Sequence, residues 1–208
     1  MTSCSYIDPN RIAPGYVLAY NSIKSAILGS ENTNITPEII KSIPYASLLV
    51  RIGNGPYGLM ILQSIQENTT TWVSADGVYF VISNGRIIKT KGLDNNLIKT
   101  ITPYLFHSEE FLRSSVIEDL KFYYSYDKPF LANLEVQASY KIGEESSHSL
   151  LTNNIDLLLI TEKLKNDDIN WRKENKYWVD EDGFIWKSEQ HISPKIPKIY
   201  IEVTKKPS

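Results

Sequence analysis

One cysteine, two methionines and three histidines are all that this 208-residue chain offers in sulfur and imidazole. A single thiol excludes an internal disulfide framework and any metal site built from cysteines. His107, His148 and His191 lie far apart, with neither a His-Glu-x-x-His run nor any comparable ligand spacing. Charge of one sign is also lacking. Lys and Arg total 22 against 24 Asp and Glu, a net of −2, so no basic excess exists to hold a nucleic-acid backbone. No stretch approaches the roughly 18 apolar residues of a membrane-spanning helix. A Gly-x-Ser-x-Gly elbow is missing. Gly53, Gly55 and Gly58 lack the Gly-Lys-Ser/Thr ending of a phosphate loop and lead into a strand pattern, which reads as a hairpin turn. Neither a cofactor nor a catalytic residue is expected.

What the chain has in quantity is strand formers and tight turns. Tyrosine and tryptophan, at 13 and 4, outnumber the 6 phenylalanines, which favours strands and half-wet ring surfaces. Near the start, residues 16–28 can form a helix with Val17, Tyr20, Ile23 and Ile27 on one side. Thr36-Pro37-Glu38 then reads as a cap, a first-turn proline and a dipole-matched acid, opening a short helix that Pro44 ends. From Ala46 onward apolar runs alternate with turn signals at 53–56, 67–70, Asp76-Gly77 and Asn84-Gly85. Four turns in so few residues leave no room for parallel crossovers, so this half is an antiparallel meander. Residues 93–117 are less regular, and Glu109 to Leu120 is expected to be helical. Strands resume at 120–126, 134–142, 155–164, 169–179, 184–191 and 199–204. About ten strands with few helices predict a mainly β fold, a curled antiparallel sheet forming a barrel-like meander, with its helices chiefly near the N-terminus. The expected organisation is a tether over residues 1–15 and a single β-rich domain over 16–208.

Trp72-Val73-Ser74-Ala75-Asp76-Gly77 echoes Trp178-Val179-Asp180-Glu181-Asp182-Gly183. Two hairpins sharing a favoured turn explain the echo, as a duplication of sheet halves also would. Trp72, Gly77, Trp178 and Gly183 are therefore read as structural hairpin residues. Carboxylates cluster at Glu144-Glu145, Asp167-Asp168 and 180–182, all in polar turns. They read as solvated, and glycoside chemistry would need two of them facing each other across a cleft.

Cys4 stands behind Met1-Thr2-Ser3. This is similar to the end of a bacterial lipoprotein signal, where Leu and two small residues precede the cysteine that receives lipid, with Met1 here in the Leu position. Cys4 is thus a candidate lipidation site, the alternative being an ordinary free thiol. Ser5 is not the Asp that retains such proteins in the inner membrane. In order along the chain come Leu49-Val50-Arg51-Ile52-Gly53-Asn54-Gly55, Trp72-Val73-Ser74-Ala75-Asp76 and Asn84-Gly85-Arg86-Ile87-Ile88-Lys89-Thr90. Tyr177-Trp178-Val179-Asp180, Gly183 and Ile196-Pro197 follow them. Together these segments resemble the YjbF/GfcB family of outer-membrane lipoproteins.

The resemblance implies a curled sheet with helices beside it and no catalytic residues. It also implies a lipid-anchored protein on the periplasmic face of the outer membrane, serving exopolysaccharide or group 4 capsule production. The implied partners are the outer membrane, through the N-terminal lipid, and other proteins of that system, including an outer-membrane β-barrel. Arg51, Asp76 and Arg86, the charged members of the matching block, are candidates for a patch that contacts such a partner; the alternative for them is a surface salt bridge with ordinary turn chemistry. A second functional class stays open: a carrier or binding module holding a hydrophobic or glycan ligand in the cavity of the curled sheet.

Overall fold

The computed structural model describes residues 35–103 and 116–207, with the backbone alone over 116–119. The chain divides into two compact units, 1–34 and 35–208, and the described residues belong to the second. The helix expected over 16–28, the tether over 1–15 and Cys4 lie outside the described residues.

Helix α1 (Pro37–Ser42) forms as its sequence dictates. The Thr36 hydroxyl accepts from the Ile39 backbone N–H, Pro37 occupies the first turn, and Ile40 is its buried residue. Among the described residues twelve strands follow: β1 (Ser47–Ile52), β2 (Gly58–Gln66), β3 (Thr69–Ser74), β4 (Tyr79–Ser83), β5 (Arg86–Lys91), β6 (Leu97–Ile101), β7 (Val116–Asp127), β8 (Phe130–Ser149), β9 (Asn154–Asn166), β10 (Trp171–Val179), β11 (Ile185–Gln190) and β12 (Ile199–Lys205). They form one antiparallel sheet in the order β5-β4-β3-β2-β1-β12-β11-β10-β9-β8-β7-β6. All but one of its neighbours are consecutive strands, and the exception, β1 with β12, joins the two ends of the meander. The sheet curls into a nearly closed barrel.

Closure falls to β5 and β6, the outermost strands, and side chains rather than a backbone ladder bridge them. The Leu97 N–H donates to Thr90 Oγ1 at 2.9 Å, and Thr100 Oγ1 donates to the Ile88 carbonyl at 2.9 Å. Below this seam Asn96 donates to both oxygens of Asp127, at 2.7 Å from its backbone and 2.8 Å from its side chain. The Asn96 side chain is also the leading reason the Asp127 carboxyl sits below its ordinary range.

Two expectations for residues 93–120 are corrected here. Val116 to Leu120 is strand, pairing through Val116–Lys141 and Leu120–Ala138, so the helix expected over 109–120 does not include this stretch. Val116, Ile117 and Leu120, with Glu118 and Asp119 between them, are too few apolar positions to choose a period, and the long β8 strand beside them decides the outcome. Leu97–Ile101 is a strand that the pattern did not reveal. The two Trp-Val-x-x-Asp-Gly turns do share a geometry. Ser74 N donates to the Val78 carbonyl and Gly77 N to that of Ser74; Asp180 N donates to Phe184 and Gly183 N to Asp180. Gly77 and Gly183 adopt φ of 83° and 82°, the left-handed region that suits glycine.

Candidate functional site

Every strand contributes to one apolar core inside the barrel, and a charged group sits within it. Along β9, Leu158, Ile160, Glu162 and Leu164 share the parity that places alternate residues on one face. Glu162 is therefore carried inward beside Ile160 and Leu164, and it is 0% exposed. Arg86, at the start of β5, meets it from across the barrel and is 2% exposed. The two form a direct ion pair.

Four donors converge on the Glu162 carboxylate. Arg86 and the Tyr140 hydroxyl donate to Oε1, while Asn175 Nδ2 at 2.8 Å and the Tyr177 hydroxyl at 3.0 Å donate to Oε2. Arg86 donates further to the hydroxyls of Tyr124, at 2.6 Å, and Tyr140, at 3.0 Å. Its guanidinium carbon lies 4.2 Å from the centre of the Phe122 ring, a cation–π contact in a dry environment. Burial by itself would lower the Arg86 pKa, but the Glu162 charge and the surrounding tyrosines hold it well above its ordinary value. Burial pushes Tyr124 up to about 12, and burial with the Glu162 charge raises Tyr140 and Tyr177 well beyond the ordinary tyrosine range. The carboxylate is saturated and sealed from solvent. It is a keystone of the barrel interior, with no free face to offer a substrate.

Arg51, Asp76 and Arg86 do not come together. The first is on β1 and the last on β5, separated by three intervening strands. Asp76 stays within its own turn, where its carboxylate accepts from the Ser74 hydroxyl. Arg86 is consumed inside the barrel. Only Arg51 reaches the outer wall, stacked 4.7 Å from the Tyr57 ring centre and 5.7 Å from that of Tyr200. The row continues across β12, β11 and β10, with Lys187 Nζ 5.6 Å from the Tyr200 ring and 4.5 Å from the Trp178 ring. His148 meets Trp178 edge-on at 6.0 Å. The result is a belt of alternating cations and rings, with Tyr57 46% exposed.

Trp72 and Trp178 take opposite faces. Trp72 packs in the central core with Phe80 as its cross-strand partner, and its indole N–H donates to Thr70 Oγ1 at 2.8 Å. Trp178 is also buried but belongs to the outer belt, because Tyr177 and Val179 take the inward positions on β10. The shared motif is a shared turn, and a one-residue difference in parity flips its tryptophan.

Two cavities flank these features. One, of about 300 Å³, lies at an end of the barrel, against the β2–β3, β4–β5 and β10–β11 turns, with Leu48, Trp72, Ile82, Phe184, Ile185 and Val203 among its walls. The other is an open groove of about 630 Å³ on the outside of β8, β9 and β10. Each has one carboxylate in its lining, Glu67 in the first and Glu174 in the second. Asp167 is held by Lys165 and Arg172, and Asp180 by the Phe184 N–H and Trp186 Nε1, so these turn acids serve the fold. Among the described residues no three His, Cys, Asp or Glu side chains gather as a metal site would require.

The sequence model of a family described as the group 4 capsule polysaccharide lipoprotein GfcB, YjbF matches residues 20–204. The chain belongs to this family. The lipoprotein YjbF of Escherichia coli K12 is 22% identical over 178 residues, which covers 83% of this chain and 81% of that protein. The lipoprotein GfcB of the same organism is 25% identical over 79 residues, 38% of this chain and 37% of its own length. The crystal structure of the hypothetical lipoprotein YmcC from E. coli K12 superposes with a TM-score of 0.70 at 18% identity, covering 91% of this chain and 96% of that one. At that identity the likeness establishes a shared fold. The family resemblance read from Arg51, the Trp72–Asp76 segment and the Arg86 block thus holds over most of the chain.

Glu162 with its partners Tyr140, Asn175 and Tyr177, and Tyr124 on Arg86, are the residues that sequence reading missed. The signal was present: a charged residue at an inward position of an alternating strand, opposite strands whose inward positions repeat tyrosine.

Proposed function

We propose that the protein is a non-enzymatic accessory of exopolysaccharide or capsule production, anchored by lipid on Cys4 to the periplasmic face of the outer membrane and acting through contacts with other proteins of that system. The observation that carries this reading is the family match over residues 20–204, whose description is that of a capsule polysaccharide lipoprotein. The interior supports it, since among the described residues the buried Glu162 carboxylate is occupied by Arg86, Tyr140, Asn175 and Tyr177, which leaves the outer wall as the place to meet partners. The Arg51–Tyr57–Tyr200 stack is the favoured contact, because arginine and tyrosine are the residues that most often dominate binding energy at interfaces.

The test is made in the native host. Deleting the gene should lower surface polysaccharide, the wild-type chain should restore it, and Cys4→Ala should lose both membrane association and restoration. A Cys4→Ala protein that still fractionates with the outer membrane in the absence of its partners rules out the lipid anchor. Normal polysaccharide in the deletion strain rules out the accessory role.

A second reading is favoured by the cavity at the barrel end. At about 300 Å³ it lies at the lower limit of ligand cavities, and its walls are largely apolar. A carrier role would require a single slim apolar ligand, detectable by native mass spectrometry of protein purified from membranes. Ligand-free protein in that measurement removes the reading.

A further inference from the structure

Arg51 is held by rings, and no described residue accepts its hydrogen bonds. It pairs in register with Tyr200 of β12, so the two side chains stand together on the outer wall. Tyr57, from the turn between β1 and β2, packs edge-on against the Tyr200 ring with centres 5.7 Å apart. The guanidinium lies against both rings. Its Nε is sealed from solvent without a hydrogen-bond partner. Among the described residues no carboxylate comes within ion-pair distance of it. Its terminal nitrogens, Nη1 and Nη2, make no protein hydrogen bond and remain at the surface of this half-buried side chain.

The two carboxylates beside Tyr200 are already occupied. Glu189, the register partner of Tyr200 on β11, receives Lys198 at 2.7 Å. Glu202, two residues along β12, accepts from the Leu151 N–H at 2.7 Å and from the Tyr200 hydroxyl. Lys187 faces Glu202 in register, so its charge is answered within the sheet, whereas Arg51 faces a ring. A half-buried guanidinium without acceptors is a local cost, since its donors lose water and gain no hydrogen bond. The ring faces return part of that cost and leave the planar fork unused.

We propose that the Arg51 fork receives the carboxylate of an Asp or Glu side chain from a protein partner, with an apolar group of that partner lying on Tyr57. The inference rests on the accessory function proposed above and names the group that completes one contact. Two parallel N–H donors match a carboxylate in geometry and charge. The rings fix the guanidinium before binding, so little side-chain freedom is lost when the partner arrives. A polyanionic glycan would need a row of unanswered cations, and here the cation next along the belt already faces its own acid. One arginine ringed by tyrosines, with Tyr57 46% exposed, is instead the composition of a protein–protein hot spot, where rings keep water from a central charge pair.

The probes are the blocked tripeptide Phe-Glu-Phe, its Phe-Gln-Phe counterpart and trigalacturonate. Each is titrated into the full chain while NMR follows the Arg51 guanidinium and the Tyr57 ring. The glutamate peptide should shift both sets of signals and saturate. The glutamine peptide should bind roughly tenfold or more weakly, a difference of about 1.4 kcal/mol per factor of ten. Arg51→Lys keeps the charge but loses the fork, and by the Tyr57 signals it should also weaken the glutamate peptide roughly tenfold, with the rest of the spectrum unchanged.

No shift with the glutamate peptide overturns the proposal, as does equal binding of the two peptides. Wild-type affinity in Arg51→Lys overturns it as well, because a point charge would then suffice. Trigalacturonate moving these signals while the peptide does not would assign the fork to an acidic glycan and end the protein reading. In the native host, Arg51→Lys should lower surface polysaccharide at normal protein level. If gene deletion lowers it and Arg51→Lys does not, the carboxylate contact falls and the accessory role stands. If deletion has no effect, the accessory role falls, and the peptide titrations decide the fork by themselves.

Discussion

The Arg86–Glu162 pair should dominate the stability of the barrel in a way that single and double substitutions distinguish. Arg86→Met leaves Glu162 charged in the interior, and removing one partner of a buried pair costs about 3–5 kcal/mol. Glu162→Leu should cost more. It strands the guanidinium and also removes the acceptor of Tyr140, Asn175 and Tyr177, each unsatisfied donor adding about 1–3 kcal/mol before any relaxation. After Arg86→Met, by contrast, those three donors still hold the carboxylate. A domain of this kind is stable by only about 5–15 kcal/mol, so Glu162→Leu should unfold much of the population. The double variant should recover about 1–3 kcal/mol relative to the sum of the singles, because no charge is then left without its counterion. Urea unfolding followed by tryptophan fluorescence reads all four proteins. With a slope of about 2 kcal/mol/M, Arg86→Met should lower the midpoint by about 1.5–2.5 M. A single substitution costing under about 1 kcal/mol, or a double equal to the sum of the singles, would show that the two groups are not coupled in a dry interior.

Other outcomes follow from the same geometry. Trp72→Ala should cost about 3–5 kcal/mol, since the ring is 2% exposed within the central core, and an unchanged unfolding midpoint would refute that placement. Gly85→Ala should cost about 2–4 kcal/mol, because Gly85 has φ of 74° and its new Cβ would lie 2.7 Å from Ile185 Cβ. Arg51→Ala should lower stability by about 1–2 kcal/mol, because the half-buried guanidinium stacks on Tyr57 and Tyr200, while leaving the barrel folded and lowering polysaccharide output in cells. Ultraviolet titration should show Tyr124, Tyr126, Tyr140, Tyr177 and Tyr200 ionising late, Tyr124 near 12. Their folded pKa values lie above the unfolded value of 10.0. Their contribution to stability is therefore complete below pH 10 and is lost as pH rises toward the folded values, so alkaline unfolding should accompany their ionisation.

Most of the fold was legible because its turns are written in residue types that few other conformations accept. Asn84-Gly85 and the two Asp-Gly turns require positive φ at their glycines, and they set strand boundaries for β3 to β5 and for β10 to β11. Strand β6 was not legible. Leu97–Ile101 is short, only Leu97 is buried, and its position follows from side-chain bonds to Thr90 and Ile88 that no local pattern encodes. The start of β7 failed for a related reason. Val116 to Leu120 has no period long enough to choose between helix and strand, and its partner lies some twenty residues onward in β8.

The site was less legible than the fold, and Arg86 shows why. In the sequence it follows a polar turn and opens an apolar strand, which suits a surface cation as well as a buried one. What decides between the two is Glu162, 76 positions away, together with tyrosines from β7, β8 and β10. Closing the barrel is what brings those strands opposite β5, so the environment of Arg86 is a property of the whole topology. Arg51 differs, since its neighbours Tyr57 and Tyr200 come from a following hairpin and an adjacent strand. A charged residue conserves its options along a strand until the sheet closes. Closure then divides the candidates into one cation that holds the interior together and one that remains on the outer wall, stacked between tyrosine rings.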